Sequence, residues 1–149
     1  MSHVLYAYIA KPTTTQVSAF LRVLADHGVS LSHLGKRDPP RKFAGSVDEA
    51  ASMVLSGTDL TEVALSRAAA CKLDIDFWIN HDRRGKHSTV SASCPDKAVL
   101  GLVADSAAGA FDLFITIRGV SGGGKQQAWE VVHVTERCPH ELRSKFVVA

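Results

Sequence analysis

Leu73, Ile75, Phe77 and Ile79 alternate with Asp74, Asp76, Trp78 and Asn80. Successive side chains of a strand point to opposite sides, so this period of two predicts a strand with one apolar and one polar face. The apolar face must lie on helices, and the other, carrying Trp78, is expected to be at least partly wet. His81 to His87 supplies turn residues and charge, with Gly85 free to adopt positive φ. Val90, Ala92 and Cys94 alternate with Thr89, Ser91 and Ser93, which reads as the return strand. A loop this short cannot make a parallel connection, so the pair is antiparallel.

The remaining chain supplies what such a hairpin needs as neighbours. Val4 to Ala10 is apolar almost throughout, the pattern of a strand covered on both faces. Thr13 and Gln16 have capping-box spacing, and Val17, Phe20, Leu21 and Leu24 follow at helical spacing up to Gly28. Val29 and Leu31 then begin a second strand, expected parallel to the first. Lys36 to Ala44 reads as a basic loop broken by Pro39 and Pro40. Ser46 and Glu49 cap a helix from about Val47 to Leu55. Asp59, with Leu60, Val63, Ala64, Ala68 and Cys71, predicts a further helix leading into the hairpin. Pro95 and Asp96 open a helix through Val99, Leu100, Val103 and Ala107, ending at Gly109. Phe111 to Ile117 reads as a strand with Phe111, Leu113, Ile115 and Ile117 on one face and Phe114 on the other. Gly119 to Lys125 reads as a flexible glycine-rich loop, and the β-branched run in Trp129 to Val134 favours a last strand. The apolar end, Phe146-Val147-Val148, is expected to dock.

These elements predict an α/β (α+β) fold over residues 1–149 as one domain. The sheet is expected to be mixed, with helices mainly on one face, in a ferredoxin-like or related sandwich. Two extra helices fall in an insertion at about residues 37–72.

Composition narrows the function classes. A formal charge of +2 is too small to argue for nucleic acid. The three cysteines, Cys71, Cys94 and Cys138, are an odd set without close pairing, which fits free thiols in a reducing compartment. Val4 to Ala10 is too short for a signal core, and no stretch approaches membrane-spanning length. A cytoplasmic protein with no membrane partner is expected.

Several sets of residues could carry chemistry. Gly119 to Lys125 matches the GxxxxGK part of a phosphate-binding loop, yet Gln126 stands where a magnesium-holding Ser or Thr belongs. Asp74 and Asp76 share a strand face, with Asn80 beyond them and Asp112 on a strand that could be a neighbour. They could serve a metal-dependent enzyme only with a third convergent group. His81, His87 and Cys94, and His133, Cys138 and His140, are metal-capable without a recurrent zinc spacing. Cys138 with His140 is the nearest approach to a nucleophile and base. Arg83, Arg84, Lys86 and His87 form one basic loop, and Lys36, Arg37, Arg41 and Lys42 another. Trp78 beside basic residues could stack on RNA, but no aromatic RNA-binding signature accompanies it.

No catalytic set, cofactor or metal site is therefore expected, and the profile favours a protein that works by its surface. Tryptophan and arginine dominate binding interfaces, and charge beside them speeds encounter. The strand LDIDFWINHD and the following FDLFITIRG, from Leu73 to Gly119, give a chain that resembles the small bacterial immunity proteins that neutralise a cognate toxin. That resemblance implies a non-catalytic inhibitor that covers a toxin's active site or blocks its closure. The expected partner-binding residues are Trp78, Asp76, Arg83 and Arg84. The alternatives are a ferredoxin-like domain that takes a small-molecule ligand or regulates, and an enzyme using Asp74 and Asp76.

Overall fold

The computed structural model describes residues 3–35, 41–42, 45–56, 60–67, 72–79, 87–120 and 129–147. In chain order the elements are β1 (His3–Ile9), α1 (Thr14–Asp26), β2 (Val29–Gly35), β3 (Arg41–Lys42), α2 (Val47–Ser56) and β4 (Leu60–Arg67). They continue with β5 (Lys72–Trp78), β6 (Ser88–Cys94), α3 (Lys97–Ala110), β7 (Leu113–Val120), β8 (Glu130–Val134) and α4 (His140–Phe146). The strands form one eight-stranded sheet in the order β3-β2-β4-β5-β6-β1-β7-β8.

The α+β class and the helix-covered sheet are as the sequence predicts. The direction of the strands is not. Every hydrogen-bonded neighbour is antiparallel. The strands β1 and β2 do run the same way, but β6, β5 and β4 lie between them. Likewise β1 is inserted between β6 and β7, which α3 connects. This split strand–helix–strand unit is a building block of ferredoxin-like sheets.

Capping explains where the helices begin. The N–H of Gln16 donates to Thr13 Oγ1 at 3.2 Å, and Gln16 Oε1 accepts from the N–H of Thr13 at 3.0 Å. The reciprocal pair satisfies two donors that a helix start leaves over. Ser46 Oγ accepts from Glu49 N–H at 3.1 Å, and Asp96 Oδ1 from Ala98 N–H at 2.9 Å. After α1, Gly28 takes φ +83, a left-handed conformation that costs glycine least. Gly109 does not end α3, which runs on to Ala110.

The expected helix beginning near Asp59 is instead β4. Leu60, Val63 and Ala64 fit a helical stripe, but Val63 and Leu65 also fit a period of two. The second period wins because β4 lies between β2 and β5, where ladder bonds are made on both sides. Val63 stands opposite Ile75 and Leu65 opposite Leu73. The insertion at about residues 37–72 therefore holds one described helix, α2, together with β3 and β4. A second departure lies in β7. Tyr8 pairs with Ile115 and Ile9 with Leu113, so Phe114 is an extra residue. This bulge turns Ile115 and Ile117 to the face opposite Leu113.

One face of the sheet packs on α1, α2 and α3. Leu5, Ala7, Ile9, Leu73, Ile75, Phe77, Val90 and Ala92 meet Phe20, Leu24, Val54, Leu100 and Val103 there. Phe20 stands edge-on to Phe77, ring centres 6.1 Å apart. The other face carries a smaller cluster under α4, where Ile115 and Ile117 meet Cys138 and Leu142. Val147 and Phe146 pack against it, so the apolar end docks through a short helix. No helix among the described residues is long and apolar enough to cross a membrane.

Candidate functional site

The ladder register builds the candidate site row by row, because directly opposite residues share a face. Trp78, Thr89, Tyr8 and Ile115 form one row across β5, β6, β1 and β7. Asp76, Ser91, Tyr6 and Ile117 form the next. Asp74, Ser93 and Val4 form the third. All lie on the face away from α1 and α3.

That face is divided in two. Over β7 and β8, α4 and Trp129 cover it: Phe146 lies 5.7 Å from the Tyr8 ring and Trp129 lies 5.4 Å from Tyr6. Over β5 and β6, no described helix packs on it. At the boundary Tyr6, Tyr8, Trp78 and Thr89 line a shallow cavity of about 190 Å³ that opens to solvent. Trp78 is 37% exposed, Tyr6 and Tyr8 are half-buried, and Thr89 is the buried floor. His87 stands edge-on to Tyr8 at 5.4 Å. Burial pushes the Tyr8 phenol above its ordinary range, with the neighbouring Tyr6 adding to the rise. It is a neutral hydroxyl at physiological pH.

Trp78 and Asp76 are thus together on this face, as the alternation predicts. Arg83 and Arg84 lie outside the described residues, as do Lys86, His81 and Asn80. Of the other basic loop, Lys36 and Arg37 lie outside them too, and only the backbone of Arg41 and Lys42, in β3, is described. Of the glycine-rich stretch, Gly119 and Val120 belong to β7 and residues 121–125 lie outside the described residues.

Other expected sets are taken apart by the fold. Asp112 does not join Asp74 and Asp76: it precedes β7, with β6 and β1 between, and pairs with Arg137 at 3.3 Å. His87 is on the open face, whereas Cys94 is in the helix-side core. His133 reaches Asp105 on α3 at 3.4 Å, whereas Cys138 is buried under α4 on the opposite face. Burial pushes the Cys138 thiol up, contrary to what a nucleophile requires. Among the described residues no group of three or more His, Cys, Asp or Glu could hold a metal ion.

Tyr6 and Tyr8 are not among the residues the sequence points to, because Val4 to Ala10 reads as apolar almost throughout. The signal was present: Leu5, Ala7 and Ile9 alternate with tyrosines that each carry a polar tip. A larger cavity of about 390 Å³ lies between α1 and α2, lined by Thr14, Thr15, Ser18, Arg22, Asp48 and Ser52 among others. Its guanidinium is already committed, since Arg22 bonds Asp48 at 2.8 Å. The Asp48 carboxyl is held low by that bond, then by one from Ser18. Comparison with known protein families, characterised proteins and solved structures returns no match.

Proposed function

We propose that this chain is a non-catalytic protein-binding module of the immunity type, which blocks a cognate toxin with the uncovered half of its sheet face. The observation that carries the reading is Trp78, 37% exposed and seated beside a cavity with Tyr6 and Tyr8. An aromatic ring kept in water, with two tyrosines behind it, is the composition of a binding hot spot. Asp76 lies in the neighbouring row of the same face and adds charge that selects a partner. Arg83 and Arg84 follow Trp78 by five and six residues in the sequence and are the basic residues this reading assigns to partner binding. The mechanism is steric and electrostatic, and the working compartment is the cytoplasm. The resemblance of the Leu73 to Gly119 segment to immunity proteins points the same way.

The test is capture with the tagged protein from its source lysate, followed by expression of the captured protein in a sensitive host. One stoichiometric partner is expected, whose growth arrest is relieved by co-expression of the wild type. Trp78→Ala should weaken the complex by about 30-fold, or roughly 2 kcal/mol, without unfolding the chain. Undiminished affinity in folded Trp78→Ala would move the interface elsewhere, and no partner protein would end the reading.

A further inference from the structure

We infer that the cavity between Trp78, Tyr8 and Tyr6 receives one cationic side chain, an arginine or a lysine, from the partner. This rests on the protein-binding reading and specifies the chemistry at its centre. Three aromatic side chains and the Thr89 hydroxyl line the cavity, and its volume is about 190 Å³. That space suits one side chain rather than a helix or a strand. A ring face attracts a cation through its quadrupole, and tryptophan does so most strongly. The Tyr8 phenol, kept neutral by burial, offers a hydroxyl without adding a charge.

Charge decides between the guests that such a cavity could hold. On β5, β6 and β1 the charged side chains described at this face are Asp74 and Asp76. Asp76 is two residues from Trp78 on the same side of β5, a step of about 7 Å. A guanidinium or ammonium on Trp78 therefore lies within reach of the field of a carboxylate. Asp74, Asp76 and Trp78 also interact within the chain, so the partner's cation adds to those contacts, and the aromatic lining of the cavity carries the inference. The two carboxylates disfavour an anionic guest, and the described cation on the neighbouring helix, Lys145, lies over the Phe146 ring at 5.2 Å on the covered half of the face. An apolar guest would cover the carboxylates and return nothing for their lost water. Arginine fits best, because its planar group stacks on a ring while keeping donors free for a carboxylate.

The experiment is an NMR titration of the whole chain with acetylarginine amide, acetyllysine amide, the neutral isostere acetylcitrulline amide, and glucose. Trp129→Phe assigns the Trp78 indole signal. Saturable shifts at the Trp78 indole and the Thr89 amide are expected with the two cations. Binding of the arginine probe should exceed that of the citrulline probe by at least about fivefold. Trp78→Leu should abolish the response, and Asp76→Asn should weaken it a few-fold with the fold unchanged. Equal responses to the neutral isostere, a response to glucose alone, or no response to either cation would overturn the inference. If the cations fail while Trp78→Ala still loses the protein partner, the pocket chemistry is wrong and the binding module stands. If the cations bind at Trp78 and no partner protein exists, the pocket stands and the immunity reading falls.

Discussion

Phe77 and Trp78 follow one another on β5 and face opposite sides of the sheet. Phe77 is fully buried against Phe20 of α1, whereas Trp78 is 37% exposed beside the cavity. The same contrast runs along the strands. Toward α1, α2 and α3 the sheet presents aliphatic residues and Phe77 in one continuous core. On the other side it presents Tyr6, Tyr8, Trp78, two aspartates and a set of hydroxyls, and α4 covers only the β7 and β8 end. Burial of apolar area stabilises the first face without further help. The second face carries hydroxyls and carboxylates instead, and its rings remain partly exposed. The difference separates the face that holds the fold from the face on which the proposed partner would dock.

The strongest way to break that comparison is to remove the two aromatic residues in turn. Phe77→Ala should cost about 3–5 kcal/mol, read by urea denaturation, because it opens a cavity that the surrounding helices cannot fill. Trp78→Ala should cost about 1 kcal/mol or less in the same measurement and show its main effect in partner affinity instead. Similar stability losses for the two would mean that both faces are core. A weaker probe acts on the helix layer alone. Thr13→Ala removes the cap of α1 and should lower stability by about 1 kcal/mol, with partner affinity unchanged in titration calorimetry. A loss of affinity there would couple the two faces.

How much of this was legible follows from the same alternation. Leu73 to Trp78 declared its two faces because aliphatic and polar residues strictly take turns, and Trp78 came out on the wet side as read. The caps at Thr13, Ser46 and Asp96 were legible because each needs only a local hydrogen bond. Strand pairing was not. Which strands neighbour β1 depends on contacts far apart in sequence, so adjacent parallel strands were expected where β6, β5 and β4 intervene. The run at Leu60 to Arg67 supports a helix by local spacing and becomes a strand only because β2 and β5 flank it. The bulge at Phe114 was invisible for a related reason: an extra residue leaves the alternation of FDLFITI intact on paper while reversing the faces beyond it. The cavity needed three strands in register, so Tyr6 and Tyr8 could not be joined to Trp78 before the sheet order was known.

The smallest expected effect refines the boundary between the two faces, where Tyr8 belongs partly to each half of the open side. Its ring packs on Phe146 and its edge meets His87 and the cavity. Burial raises the phenol pKa in the folded chain above the ordinary 10.0. Above pH 10 the unfolded chain therefore releases this proton first, and the native state binds more protons than the unfolded one. Stability conferred by the neutral phenol is complete below pH 10 and is lost as pH rises toward the folded value. Tyr8→Phe cannot ionise, so its stability should fall less steeply than that of the wild type between pH 10 and 11 in urea titrations. Lysines titrate in the same window in both proteins, and the difference between the two curves isolates Tyr8. Parallel curves would mean that water reaches the phenol freely, which would extend the wet half of the face across β1 and up to α4.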